Sequence, residues 1–75
     1  MHNNFNFQDA NCFLYGNRSL YIENYRHILQ YREDHIHIAM KRGWLEIVGA
    51  KLQILQYTGE DMQITGMIQA IYFHN

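Results

Sequence analysis

The chain has 75 residues, room for one domain. Six Lys and Arg against seven Asp and Glu leave a net charge of −1, without the basic excess by which a dedicated nucleic-acid binder neutralises phosphates. Cys12 is the single cysteine, so no disulfide within the chain can staple the fold, and no apolar run approaches the roughly 18 residues that cross a bilayer.

The opening Met1-His2-Asn3-Asn4-Phe5-Asn6 lacks the basic region and apolar stretch of a signal peptide. With one unpaired thiol, this gives a cytoplasmic expectation, peripheral to a membrane only through a partner. Residues 1–13 read as a flexible Asn-rich N-terminus, because four Asn among the first eleven residues favour turns over a regular element. A single β domain is expected over 14–75. Phe13-Leu14-Tyr15 reads as a short edge strand, followed by a turn at Gly16-Asn17.

Leu20 to Tyr31 fits two templates. Tyr21, Tyr25, Ile28 and Leu29 fall at helical spacing behind Ser19 as N-cap. Read as strands, Leu20 and Ile22 share a face, Glu23-Asn24 turns the chain and His27 to Tyr31 returns. Tyr and Ile favour strand and Asn24 sits badly inside a helix, so the strand reading is adopted. From His35 the alternation is plain: Ile36, Ile38 and Met40 point one way, His35, His37 and Ala39 the other. Lys41-Arg42-Gly43 reads as a hairpin loop with Gly43 left-handed. Leu45 and Ile47 then face inward, with Trp44, Glu46 and Val48 outward.

Leu45 and Ile47 are odd-numbered, whereas Leu52 and Ile54 are even, so a bulge or tight turn is expected at Gly49-Ala50. Thr58-Gly59-Glu60-Asp61 is the next turn. Along the last stretch Met62, Ile64, Gly66, Ile68, Ala70 and Tyr72 are expected on one face, with Met67, Ile71 and Phe73 on the other. Strands are therefore placed near 20–23, 27–31, 35–40, 44–48, 51–57 and 62–73, the last breakable at Gly66. Expected core residues are Leu20, Ile22, Ile28, Ile36, Ile38, Met40, Leu45, Ile47, Leu52, Ile54, Ile64, Ile68 and Tyr72. One phrase recurs three times: Leu20-x-Ile22-x-Asn24, Leu45-x-Ile47-x-Gly49 and Met62-x-Ile64-x-Gly66. Each is an apolar pair on one strand face, closed by a residue that enters left-handed geometry easily. With no proline to delete a ladder donor, the expected fold class is all-β, a small antiparallel meander or sandwich of about six to seven short strands.

In order and spacing, Ile22-Glu23-Asn24-Tyr25-Arg26, then Lys41-Arg42-Gly43-x-Leu45-x-Ile47-x-Gly49-x-x-Leu52-x-Ile54, then Ile64-x-Gly66-x-Ile68-x-x-Ile71-Tyr72-Phe73 resemble the YabP/YqfC family of sporulation proteins. Its YqfC branch, with an Ile-Glu-Asn phrase before a Gly-x-Leu-x-Ile-x-Gly phrase, is the nearer match. The resemblance covers roughly residues 14 to 73. It implies a small non-enzymatic protein of endospore-forming bacteria, associated with membrane-bound sporulation partners. It brings no catalytic residue. The chain departs from the family at its front, where an uncharged Asn-rich stretch replaces a basic, Met-rich one.

His35 and His37 share a strand face and are weak candidates for a divalent metal, with His27, Glu33 or Glu46 as third ligand. Polar residues on a solvent face are what the alternation demands anyway, so no metal and no cofactor are assigned. Cys12 has no base close in sequence, and Glu33-Asp34 and Glu60-Asp61 sit in turns as solvated punctuation. No Gly-rich phosphate loop occurs, so an enzyme is not expected. Lys41, Arg42 and Trp44, with Tyr25, Arg26, Tyr31 and Arg32, form the basic–aromatic mixture of a single-strand nucleic-acid platform, the alternative function. The preferred reading is protein–protein interaction. Trp44, Val48, Leu55, Tyr57, Ile71 and Phe73 exceed what one thin sheet buries, which marks them as interface candidates for a homo-oligomer or a membrane-bound partner.

Overall fold

The apolar pairs of the thrice-written phrase are all buried: Leu20 and Ile22, Leu45 and Ile47, Met62 and Ile64. In the computed structural model of the protein each pair lies at the middle of a strand that has neighbours on both sides. The structure describes residues 2–7 and 10–75, and the side chains of His2, Asn3, Gln56 and Tyr57 lie outside that description. Seven strands follow in chain order: β1 (His2–Phe7), β2 (Ala10–Tyr15), β3 (Ser19–Glu23), β4 (His27–Tyr31), β5 (His35–Ala39), β6 (Trp44–Tyr57) and β7 (Asp61–His74). They form one antiparallel sheet in the order β1-β2-β3-β7-β6-β5-β4. The all-β expectation holds, and so does the strand reading of Leu20 to Tyr31.

Straight 14-residue strands would run roughly 45 Å, yet the longest dimension of the molecule is 26 Å. β6 and β7 therefore bend, and they do so together. Lys51 and Gly66 both have positive φ, at 54° and 127°, and the β6–β7 register slips between Ala50 and Gln53. Beyond the bend, the first half of β7 pairs with β3 and the second half of β6, while the first half of β6 pairs with β5. The sheet is thus folded into two arms whose inner faces share one core, from Cys12, Leu20 and Ile22 to Ile36, Ile38 and Leu45. The expected phase change is present, but it falls one step later than Gly49-Ala50, at Lys51. Gly49 serves close approach instead: a Cβ there would lie 2.0 Å from the Met67 carbonyl oxygen. Gly43 is likewise not left-handed, contrary to the hairpin expectation; a Cβ on it would lie 2.0 Å from the His74 carbonyl oxygen. Of the three phrase endings, Asn24 (φ 69°) and Gly66 take the positive φ that the pattern implied.

Further corrections follow from pairing. β6 and β7 are two long strands, not the interrupted segments expected at 44–48 and 51–57. Within residues 1–13, composed like a flexible stretch, lie β1 and most of β2, with Phe5 and Phe7 packed against the core. Phe13-Leu14-Tyr15 is no edge strand, since β1 covers β2 on its outer side. Val48 pairs with Ala70 and Gly49 with Ile68, which leaves Gln69 as an extra residue in β7. That bulge reverses the faces after Ile68. Ile71 and Phe73 stand across from buried Ile47 and Leu45, while Tyr72, expected in the core, is 52% exposed opposite Glu46. Ile28 and Ile54 are only partly buried, and the core also holds Ala10, Tyr25 and Met62.

Tyr25 shows how the arms are tied. Its ring is buried, its hydroxyl donates to the Thr58 carbonyl at 2.6 Å, and its backbone N–H and that of Asn24 both donate to the Glu60 carbonyl. The β3–β4 connection is thereby pinned to the β6–β7 turn. Thr58 Oγ1 accepts from the N–H groups of Glu60 and Asp61, which fixes that turn. Cys12 is fully buried, and burial, with a smaller push from Glu23, raises its thiol to about 12. Almost no thiolate exists at pH 8. A thiol reagent should therefore label Cys12 only as fast as the protein opens; labelling in the native protein at the rate of free cysteine would contradict this placement.

Candidate interaction surface

Because β6 and β7 extend past their neighbours, each presents a stretch of one side without a strand partner: β7 beyond Ile68, β6 beyond Gln53. On the first stretch Tyr72 and Phe73 are about half exposed, and Met67 lies at its start. On the second, Leu55 is 56% exposed at a register slip, and the N–H of Ile54 donates to the Tyr31 hydroxyl at 2.9 Å. Of the six interface candidates, Leu55 and Phe73 are thus exposed. Ile71 turns inward and packs against the core, and Phe73 shares its inner side with the rings of Phe5 and Phe7, at centroid distances of 5.5 and 5.1 Å. The side chain of Tyr57 lies outside the described residues.

Trp44 and Val48 are half-buried on the outer face of the β5–β6–β7 arm. Trp44 stacks on His74 at 4.0 Å and 10°, with the His37 ring 4.8 Å from it on another side. Beside this stack, three imidazoles surround the Glu46 carboxylate. Nε2 of His74 lies 3.0 Å from Oε1, and Nε2 of His35 and His37 lie 3.6 and 3.8 Å from Oε2. Strand pairing explains the convergence, since His37 is directly across from Glu46 and Trp44 is across from His74. Asp34 flanks His35 at 3.6 Å, and Nε2 of His37 is buried without a hydrogen-bond partner. The sequence pair His35 and His37 therefore does meet Glu46, one of the three ligands considered. Among the described residues, however, no group of three or more His, Cys, Asp or Glu is disposed to hold a metal ion. His74 was missed, because its approach depends on the β6–β7 register across 28 residues of chain.

A second feature absent from the sequence reading lies on the outer face of β2, β3 and β7. Phe13, Tyr15 and Tyr21 line an open groove of about 780 Å³, with Glu23, Asp61 and Gln63 along it. Tyr15 and Tyr21 meet edge to face at 5.6 Å. Odd-numbered aromatics opposite the even-numbered core residues Leu20 and Ile22 were the available signal.

These features define a class: a small all-strand domain, one antiparallel sheet folded on itself, with apolar side chains beside unpaired strand sides. The chain belongs to the YabP family, whose pattern matches residues 8–75. That membership suggests a sporulation-related role. No curated protein and no solved structure matches the chain. None of the helices that would be needed to cross a membrane is present among the described residues.

Proposed function

We propose that this protein is a non-enzymatic interaction protein of the endospore-formation programme, of the YqfC branch of its family. It works inside the cell without a cofactor, through contacts with its own copies and with a membrane-bound sporulation protein. The observation that carries the reading is the family match over residues 8–75. The surface supports it: Leu55, Met67, Tyr72 and Phe73 are large apolar groups left exposed on a chain of only 75 residues. The basic–aromatic platform for single-stranded nucleic acid finds less support, since Tyr25 is buried and cannot offer a stacking face.

The test is recovery of partners from sporulating cells in detergent, with wild type and a Leu55→Asp, Tyr72→Asp variant compared side by side. A membrane protein retained by wild type and lost by the folded variant is the expected result. Nucleic acid recovered in place of protein, with a steep salt dependence, would replace this reading by the alternative.

A further inference from the structure

Self-association leaves open which surface is used, and the sheet edges differ in a way that singles one out. Natural edge strands are blunted by bulges, charges, proline or cover, because a flat unpaired edge templates another strand. β4 at one end of the sheet has a register slip between Ile28 and Gln30. The free side of β6 slips around Leu55, and the Ile54 N–H is taken by the Tyr31 hydroxyl. The free side of β7 is bulged at Gln69. β1, at the other end of the sheet, has none of these devices. Its register with β2 is unbroken from His2↔Tyr15 to Phe7↔Ala10, and its six residues include no Lys, Arg, Asp, Glu or Pro.

Resting on the reading of this protein as self-associating, we propose that two copies join β1 to β1, antiparallel across a twofold axis, so that one sheet runs through both molecules. A twofold axis beside an edge strand generates an antiparallel neighbour, the pairing this sheet uses throughout. β1 is neutral, so it meets its own copy without repulsion and has no charge with which to select an oppositely charged partner. Its faces also suit the pairing. Asn4 and Asn6 are exposed on the outer face, where amide side chains of the two copies can hydrogen-bond. Phe5 and Phe7 are only half-buried on the inner face beside Phe73, and the same rings of a second copy would cover more of them. β1 precedes the segment matched by the family, so this edge belongs to this chain in particular.

The test follows mass and amide exchange against concentration up to about 1 mM, since an interface of one short strand pair falls at the weak end of the range. Wild type should shift from monomer to dimer, with exchange in β1 slowing over the same concentrations. Asn4→Lys/Asn6→Lys should stay monomeric while its melting curve at low concentration is unchanged, since both side chains point to solvent. Mixing it with Asn4→Glu/Asn6→Glu should restore the dimer, which a merely misfolded variant would not do. A dimer that survives the Lys substitutions, with protection at β4 or β7 instead, overturns pairing through β1 and leaves self-association standing. A wild type that is monomeric throughout overturns both.

Discussion

Gly49→Ala and Gly66→Ala should each unfold most of the protein, while Gly59→Ala should leave it intact. At Gly49 the added methyl would lie 2.0 Å from the Met67 carbonyl oxygen and 3.0 Å from its carbon, both backbone atoms of the paired strand. Relief requires β6 and β7 to separate at the bend that joins the arms. At Gly66 the clash is 2.5 Å with the Lys51 carbonyl oxygen, and φ of 127° adds a backbone strain of about 1–2 kcal/mol for any residue with a Cβ. A chain of this size has a total stability of roughly 4–11 kcal/mol, and losses above about 4 kcal/mol are expected where a strand ladder must open. Gly59 has nothing within 4 Å of its would-be Cβ, so its replacement should change stability by less than about 0.5 kcal/mol. Urea unfolding followed by far-ultraviolet dichroism separates these outcomes. Equal midpoints for the Gly49 and Gly59 variants would mean that the strands do not approach at the bend as described.

The same two glycines show how far the sequence could be read. Their positions at the ends of Leu45-x-Ile47 and Met62-x-Ile64 announced a break in strand regularity, and the parity change from Ile47 to Leu52 required one. Alternation over His35 to Ile47 likewise placed Ile36, Ile38, Leu45 and Ile47 in the core, because period two is a local property of the strand itself. Features set by a partner strand were not legible. Nothing local distinguishes Gln69 as a bulge; it becomes one because Val48 and Gly49 pair with Ala70 and Ile68. The left-handed residue at the bend is Lys51 and not a glycine, so composition misplaced it. β1 was hidden by its Asn content, which lowers strand propensity, although Phe5 and Phe7 alternate as an inner face should. On the candidate surface, His35 and His37 could be set beside Glu46 from hairpin spacing. His74 could not, because it enters through a pairing whose register the bulge had already changed.

Ile71→Lys and Tyr72→Lys should have opposite consequences, and the order in which they fall tests the Gln69 bulge directly. Without the bulge, strict alternation from Ile64 and Ile68 would bury Tyr72 and expose Ile71. With it, Ile71 stands across the ladder from Ile47, which is fully buried, and packs against the core. An ammonium introduced there finds no partner among the apolar groups of the inner face. An unpaired buried charge costs several kcal/mol, and the partial exposure of this site lets the stem reach towards solvent, so a loss of about 2–4 kcal/mol is expected. For a domain of this size that lowers the melting temperature by roughly 10–25 °C. Tyr72 is half exposed on the other face and stands opposite Glu46, so a lysine at that position gains an opposite charge across the ladder and should cost less than about 1 kcal/mol. Ile71→Lys would also dissolve an oligomer if residue 71 lay between chains, but a variant that melts early at high dilution, where only monomer exists, has lost core and not interface. Stable Ile71→Lys beside unfolded Tyr72→Lys would instead put the faces of β7 back in unbroken alternation, and with them the inward turn of Phe73 towards Phe5 and Phe7.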